Sequence, residues 1–464
     1  MSHQCANRAT KCKRHRNHER AFSKSRLRVL SAILILLSTS AFAPTPSASA
    51  LADEPVAVAF SVKPRTTLSR PKGELSDIVL SPDAKILAVV TRENKTELWN
   101  TETGKLIAKV EGRIFRRYDY SDIKIISEFS SDSRRLVTVN GKRARIWDAA
   151  TGRLEYVLNG FDDEVSSVAF SPDGKTIATG GKYGTVRLWS TETGKPLITF
   201  TAYSVERSPK WRVVTRFFQL STNIDVSFSP SGDSVLTTLY DQPAKEWNTR
   251  TGKLEAVWGE AGFGAHFSPK GRYVLTANLE GTELWDTESG LRKAHFTAYS
   301  PVFSEDEQWL GLVQYEGKKG LLNLAHMKLE VPVNLDENDF NSWLGFSPNG
   351  EFFILASGLN QHSAKFINAS TGEVIADVPV ASKQGFDFIS DYLSYTETLA
   401  FHAGSQALMG ANKKKVRFWE VRSGKQISEL LEVRDPAIFS NDGKLLAATS
   451  QDKKSVLLWD VVAR

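Results

Sequence analysis

The chain has 464 residues, with 59 Lys and Arg against 53 Asp and Glu and a formal net charge of +6. Nine of those basic residues and one of the acidic ones fall in the first 50 positions, which leaves the remainder at a net charge of −2. The basic balance therefore belongs to the N-terminal segment and gives no case for nucleic acid as a partner.

In chain order, the first element is a leader over residues 1–50. A basic stretch at 8–28 runs into an apolar core at 29–37, and small residues follow, with Ala-x-Ala cleavage patterns ending at Ala50 or, alternatively, Ala43. This is the layout of a secretory signal peptide, and the apolar core is short for a membrane span. The expectation is a periplasmic or secreted protein. The alternative is an uncleaved leader that anchors the chain, the one route to membrane contact. Both cysteines, Cys5 and Cys12, lie in this segment at a spacing that fits no zinc motif, so the mature chain is cysteine-free, as suits an oxidising compartment. Residues 51–62 form a short lead-in.

From Leu75 onward one phrase returns nine times. Its fullest copy reads Val168-Ala169-Phe170-Ser171-Pro172-Asp173-Gly174, then Thr176 to Thr179, then Val186-Arg187-Leu188-Trp189, then Thr193-Gly194-Lys195. A period of about 40 residues signals stacked identical units. Each unit holds short runs of branched and aromatic residues separated by turn clusters, the pattern of four antiparallel strands. Ser-Pro-Asp-Gly suits a type I turn, with Pro fixing φ at the second place and Gly closing the fourth. Three units drift from it, at Ser130-Ser131-Asp132, Ser304-Glu305-Asp306 and His402-Ala403-Gly404. A tryptophan ends the third strand at Trp99, Trp147, Trp189, Trp247, Trp285, Trp419 and Trp459, with Leu322 and Ile367 in its place in two units. Aromatics at such regular spacing read as core. Seven units follow with a glycine in a turn that calls for positive φ.

These residues resemble the WD-repeat family, as a divergent, exported, bacterial-type member. The resemblance covers nearly all of the chain after the leader. It implies an all-β fold: one closed β-propeller at 63–464, built of radial four-stranded antiparallel blades around a central channel. Nine blades are counted; the alternative is eight, with the unit between Pro301 and Val333 irregular. The family's His–Asp network is mostly missing, since Phe161 and Tyr183 stand where repeat three would carry its members. Cohesion is thus expected from Trp, Phe and aliphatic packing. The last unit stops after its third strand, while Arg65 to Ser69 reads as an outer strand without a blade. Pairing the two would close the ring and remove two exposed edges.

Comparison of the units with one another locates a working face. The connections from one unit's fourth strand to the next unit's first lengthen at 112–122, 203–223, 334–342 and 382–397. Insertions that gather on one face of a repeat array mark its binding face. They carry Arg116, Arg117 and Tyr118; Trp211, Arg212, Phe217 and Phe218; Asp339 and Phe340; and Phe386 and Tyr392. Aromatics and arginine are the residue types that dominate interfaces, so these are the candidate contacts for a protein partner. The competing view is that they tuck between blades and pin the loops.

Chemistry is harder to find. The histidines beyond the leader, His266, His295, His326, His362 and His402, form no metal-ligand pair, and the acidic run at 336–339 lacks the glycine and downstream glutamate of a calcium loop. Along the innermost strands only Glu128 and His266 are titratable at the compared position. No catalytic residue, metal or cofactor is assigned. The leading reading is an exported, non-enzymatic interaction platform. The alternative is a propeller hydrolase or lyase, or a small-ligand or glycan binder, with its site at the channel mouth.

Overall fold

The repeated turn explains itself in hydrogen bonds. Ser171 Oγ donates to Asp173 Oδ1 at 2.6 Å and accepts the Thr176 N–H at 2.9 Å, while the Lys175 N–H donates to the same carboxylate oxygen at 3.0 Å. The Gly174 N–H closes the turn on the Ser171 carbonyl at 2.8 Å. The hydrogen bonds from Ser171 and Lys175 hold the Asp173 carboxyl below the usual carboxylate range. Ser81 with Asp83, Ser130 with Asp132, Ser304 with Asp306 and Ser440 with Asp442 repeat the pairing, so two of the drifted copies keep the turn's chemistry.

The computed structural model describes residues 60–462, except 70–74, 92–94, 112–128, 182–183, 205–223, 263, 279, 298–300, 316–317, 333–340, 358–362, 380–397, 405 and 412–414. These residues form nine antiparallel sheets with no helix longer than a turn, a nine-bladed β-propeller. In blades one and three to eight the strands follow one another from inner to outer in chain order. Blade three, for example, runs Val165–Phe170, Thr176–Gly181, Thr185–Ser190 and Pro196–Thr201. In blade two the described strands are Arg135–Asn140, Arg143–Asp148 and Leu154–Leu158, and Phe129 bridges Leu136 where the innermost strand belongs. The unit singled out as irregular forms a full sheet of Val302–Phe303, Trp309–Tyr315, Lys318–Asn323 and Lys328–Pro332, which settles the count at nine rather than eight.

Closure takes the expected form. Strand Ser61–Ser69 pairs antiparallel along Ser455–Val462, from Ser61 opposite Val462 to Ser69 opposite Ser455, and supplies the outer strand of blade nine. Arg65 also reaches the Asp460 carboxylate. The strand begins at Ser61, ahead of the expected boundary at 63, because Phe60 is already buried between blades eight and nine with Phe418 and Trp459.

Blades cohere through the tryptophans. Trp147 clusters with Leu98 and Val110 of blade one, Trp189 with Ile146 and Leu158 of blade two, and Trp419 with Ile354 and Phe366 of blade seven. Leu322 and Ile367 take the same place against Leu284 and Leu321. Trp285, half-buried, meets Trp258 of blade four at 6.2 Å between ring centroids. Burial is not the whole of it. In blades two to five the indole N–H donates to a second-strand threonine: Trp147 to Thr138 at 2.8 Å, Trp189 to Thr179 at 2.9 Å, Trp247 to Thr237 at 3.0 Å and Trp285 to Thr276 at 3.0 Å. Four blades thus have a polar link, buried in three of them, that the packing-only expectation omitted.

A second seam lies at the turn between the third and fourth strands. Gly152 has φ +67°, and a Cβ there would come within 2.0 Å of Ala108 Cβ on the outer strand of blade one. Gly194 sits likewise against Tyr156, Gly252 against Ile198 and Gly424 against Ala376, each time on the preceding blade. Glycine here serves two ends, a left-handed turn and a close approach.

Candidate functional site

Antiparallel order fixes which connections share a face. Turns between strands one and two, and three and four, leave by one edge of each blade; those between two and three, and from four to the next blade's first, leave by the other. The four long connections are bounded by the strand ends Glu111 and Phe129, Thr201 and Asp225, Pro332 and Asn341, and Pro379 and Thr398. All open from the same face. The candidate contacts themselves, Arg116, Arg117, Tyr118, Trp211, Arg212, Phe217, Phe218, Asp339, Phe340, Phe386 and Tyr392, lie outside the described residues. So do Glu128, the leader and both cleavage alanines.

Charged side chains hold described roots on this face, Lys245 and Arg145 at two of the long connections and Arg187 at the short one between blades two and three. The residue two places before the tryptophan on the third strand points toward this face. In blade three it is Arg187, which donates to the Gly160 carbonyl, pairs with Asp162 at 3.6 Å and lies over the Phe161 ring at 5.4 Å. In blade four it is Lys245, whose Nζ donates to the Ala202 carbonyl at 2.8 Å and sits 4.6 Å from the Tyr203 ring centroid. Burial pulls the Lys245 ammonium down from its ordinary value. Tyr203, first residue of the longest insertion, is buried, and its hydroxyl donates to the carbonyls of Thr237 at 2.8 Å and Pro243 at 2.9 Å. Burial pushes its phenol up to about 12. Tyr203 is therefore a pinning residue. The longest insertion leaves the ring from a fixed root.

Blades one and two add a charged groove of about 620 Å³, lined by Lys109, Glu111, Arg143 and Arg145 and by Leu154 and Val157. Arg145 occupies the position equivalent to Arg187 and pairs with Glu111 at 3.1 Å. Sequence reading missed this charged register. Its signal was present in Arg145, Arg187, Lys245 and Arg417, each two residues before a blade tryptophan. Among the described residues no group of three His, Cys, Asp or Glu side chains could hold a metal ion, and no helix is long and apolar enough to cross a membrane. His266 lies edge-on to Phe303 at 6.2 Å, in a packing contact between blades five and six.

Comparison with known proteins agrees with this geometry. A family model described as "WD domain, G-beta repeat" matches residues 152–190, from the outer strand of blade two through the third strand of blade three. The match straddles two blades, the same offset that makes closure possible at the chain's ends. A "Guanine nucleotide-binding protein subunit beta" of Nicotiana tabacum is 32% identical over 228 residues, covering 47% of this chain and 56% of that protein. The protein of the same name from Zea mays is 27% identical over 181 residues, covering 38% and 45%. "Autophagy-related protein 16" of Arabidopsis thaliana is 24% identical over 231 residues, covering 47% and 40%. The chain spans about half the length of the curated relatives it matches. The sheets define a nine-bladed β-propeller, and its repeat resembles the WD repeat of these relatives.

Proposed function

We propose that this propeller is a non-enzymatic platform that holds a protein partner on the face of its long connections. The observation that carries the reading is the gathering of four enlarged connections on one face of a closed ring, with the longest rooted by Lys245 and Tyr203. A rigid scaffold beneath variable loops is the usual arrangement of a binding surface. The relatives support it in kind, since a protein named as a subunit works within an assembly. The candidate contacts remain those of the insertions: Arg116, Arg117 and Tyr118; Trp211, Arg212, Phe217 and Phe218; Asp339 and Phe340; and Phe386 and Tyr392.

Export belongs to the same proposal and rests on the leader alone, with cleavage at Ala50 or Ala43 and a periplasmic or secreted destination. The relatives named above are plant proteins and lend nothing to a bacterial-type origin. N-terminal sequencing of the mature protein tests export: a start near Leu51 or Pro44 supports it, and an intact Met1 species in the cytosol ends it.

The platform is tested with the double substitution Trp211→Ala and Phe218→Ala. Loss of two hot-spot aromatics weakens partner capture by roughly 2 kcal/mol or more each while leaving melting unchanged. Residues that only pin the loop would instead lower the melting temperature. Turnover of an ester or lactone panel by the purified protein would count directly against the platform.

A further inference from the structure

Eight of the nine units place serine at the head of the first turn: Ser81, Ser130, Ser171, Ser229, Ser268, Ser304, Ser347 and Ser440. Blade eight has His402 there. Its imidazole is buried, and both ring nitrogens are engaged. The Gly404 N–H donates to Nδ1 at 3.1 Å, so that nitrogen carries a lone pair and Nε2 carries the proton. Nε2 in turn donates to the Gly443 carbonyl at 3.0 Å, in the first turn of blade nine. The imidazole thus ties together the turns of two consecutive blades.

The same ring is flanked by two phenylalanines. Phe60, the residue just ahead of the closing strand, lies edge-to-face with it at 5.7 Å, and Phe439 of blade nine does so at 5.6 Å. Phe60 also meets Phe418 at 5.2 Å. A Cβ on Gly443 would fall 2.6 Å from Nε2, so the ring fills the space that this glycine leaves open. His402 therefore touches blade eight, blade nine and the start of the strand that closes the ring.

We propose that His402 is a protonation-sensitive latch on ring closure, holding the seam in its neutral form and loosening it when the surroundings turn acidic. A second proton has to go on Nδ1, where it would face the Gly404 N–H with two donors opposed and no acceptor between them. The site is also poor in water to solvate the new charge, and burial is the chief cause that lowers the imidazole from its ordinary value. The charged group facing the ring is Asp442, beside Gly443. It favours the imidazolium but is itself paired with Lys444 at 3.6 Å. Phe60, Phe439 and Gly404 bring no charge. The neutral form thus contributes stability that is full above the unfolded value of about 6.5 and is lost as the pH falls from there through the depressed folded value.

His402→Gln supplies the test, because glutamine offers a non-titrating acceptor and donor for the same two partners. Melting of the full chain and of the variant is followed from pH 8 to pH 5, together with hydrogen exchange over residues 62–68. The wild type should lose stability relative to the variant as the pH falls. Opening of the closing strand should rise by as much as about tenfold per pH unit across that window, the one-proton limit. Parallel melting curves, or exchange that rises equally in every blade, would overturn the latch. Should the variant fail to fold, NMR titration of the His402 ring in the wild type decides, since a midpoint at or above about 6.5 is incompatible with it.

Discussion

The indole nitrogen of Trp99 is buried without a hydrogen-bond partner among the described residues, and Val89 stands where blades two to five place the threonine that would accept from it. The register makes the comparison direct. Leu87 lies opposite Trp99 as Ile177 lies opposite Trp189, and the residue two further on is Val89 in one blade and Thr179 in the other. Thr179 Oγ1 also donates to the Arg187 carbonyl at 3.2 Å, so the threonine itself is satisfied.

Val89→Thr should therefore stabilise the protein, by about 1 kcal/mol, since the hydroxyl replaces a methyl of similar size and finds both a donor and, at Glu97, a carbonyl. The reverse change, Thr179→Val, strands the Trp189 N–H and should cost about 1–3 kcal/mol. Urea unfolding of the two variants measures both. A destabilising Val89→Thr would mean that the seam between blades nine and one cannot admit a hydroxyl.

The glycine seam gives a paired prediction. Gly152→Ala and Gly290→Ala share the strain of a left-handed residue, at φ +67° and +68°, but the first meets Ala108 and the second meets nothing within 4 Å. Gly290→Ala should cost about 1–2 kcal/mol from backbone strain alone. Gly152→Ala should cost that and a further 1–3 kcal/mol, roughly the penalty of overpacking. Equal melting temperatures would show that blades one and two can slide apart freely.

Tyr203 predicts an alkaline transition. Its folded value of about 12 lies above the usual phenol near 10, so its stabilising contribution is complete below the lower figure. It is lost as the pH rises through the upper one, because the unfolded chain gives up the proton first. Tyr203→Phe should flatten this loss and should lower stability at neutral pH by about 1–2 kcal/mol, as the Thr237 and Pro243 carbonyls lose their donor. Stability measured against pH between roughly 9 and 12 tests the sign.

The repeat phrase was enough to read the ring, because each copy encodes one turn and one seam. Ser171, Asp173 and Trp189 mean the same thing structurally wherever they recur. Closure was legible for a related reason: the last unit ends one strand short and an unassigned strand precedes the first. The threonine partners were visible in the same lines but carried no weight, since Thr138 and Thr276 stand nine residues from their tryptophans and Thr179 and Thr237 ten, and only the register brings them together. His402 looked like a decayed turn; its meaning lies in Gly443 and Phe60, which are 41 residues after it and most of the chain before it. The working face was legible as an excess of length and of aromatic residues. The partner was not, because the units repeat what holds the ring together and say nothing of what approaches it.

The pairing of Ser61–Ser69 with Ser455–Val462 has a consequence in time. A ribosome makes the closing strand before any blade and its only neighbour in the sheet after all the others, with Arg65 and Asp460 395 positions apart in the sequence. Every other blade can fold from consecutive chain as it emerges. The first-made strand must wait, unpaired, until Ser455–Val462 has been made. Ring formation is thereby tied to synthesis of Ser455–Val462, and a chain cut short before that strand would present two unsatisfied edges at once, a form that invites aggregation or proteolysis rather than a slightly smaller propeller.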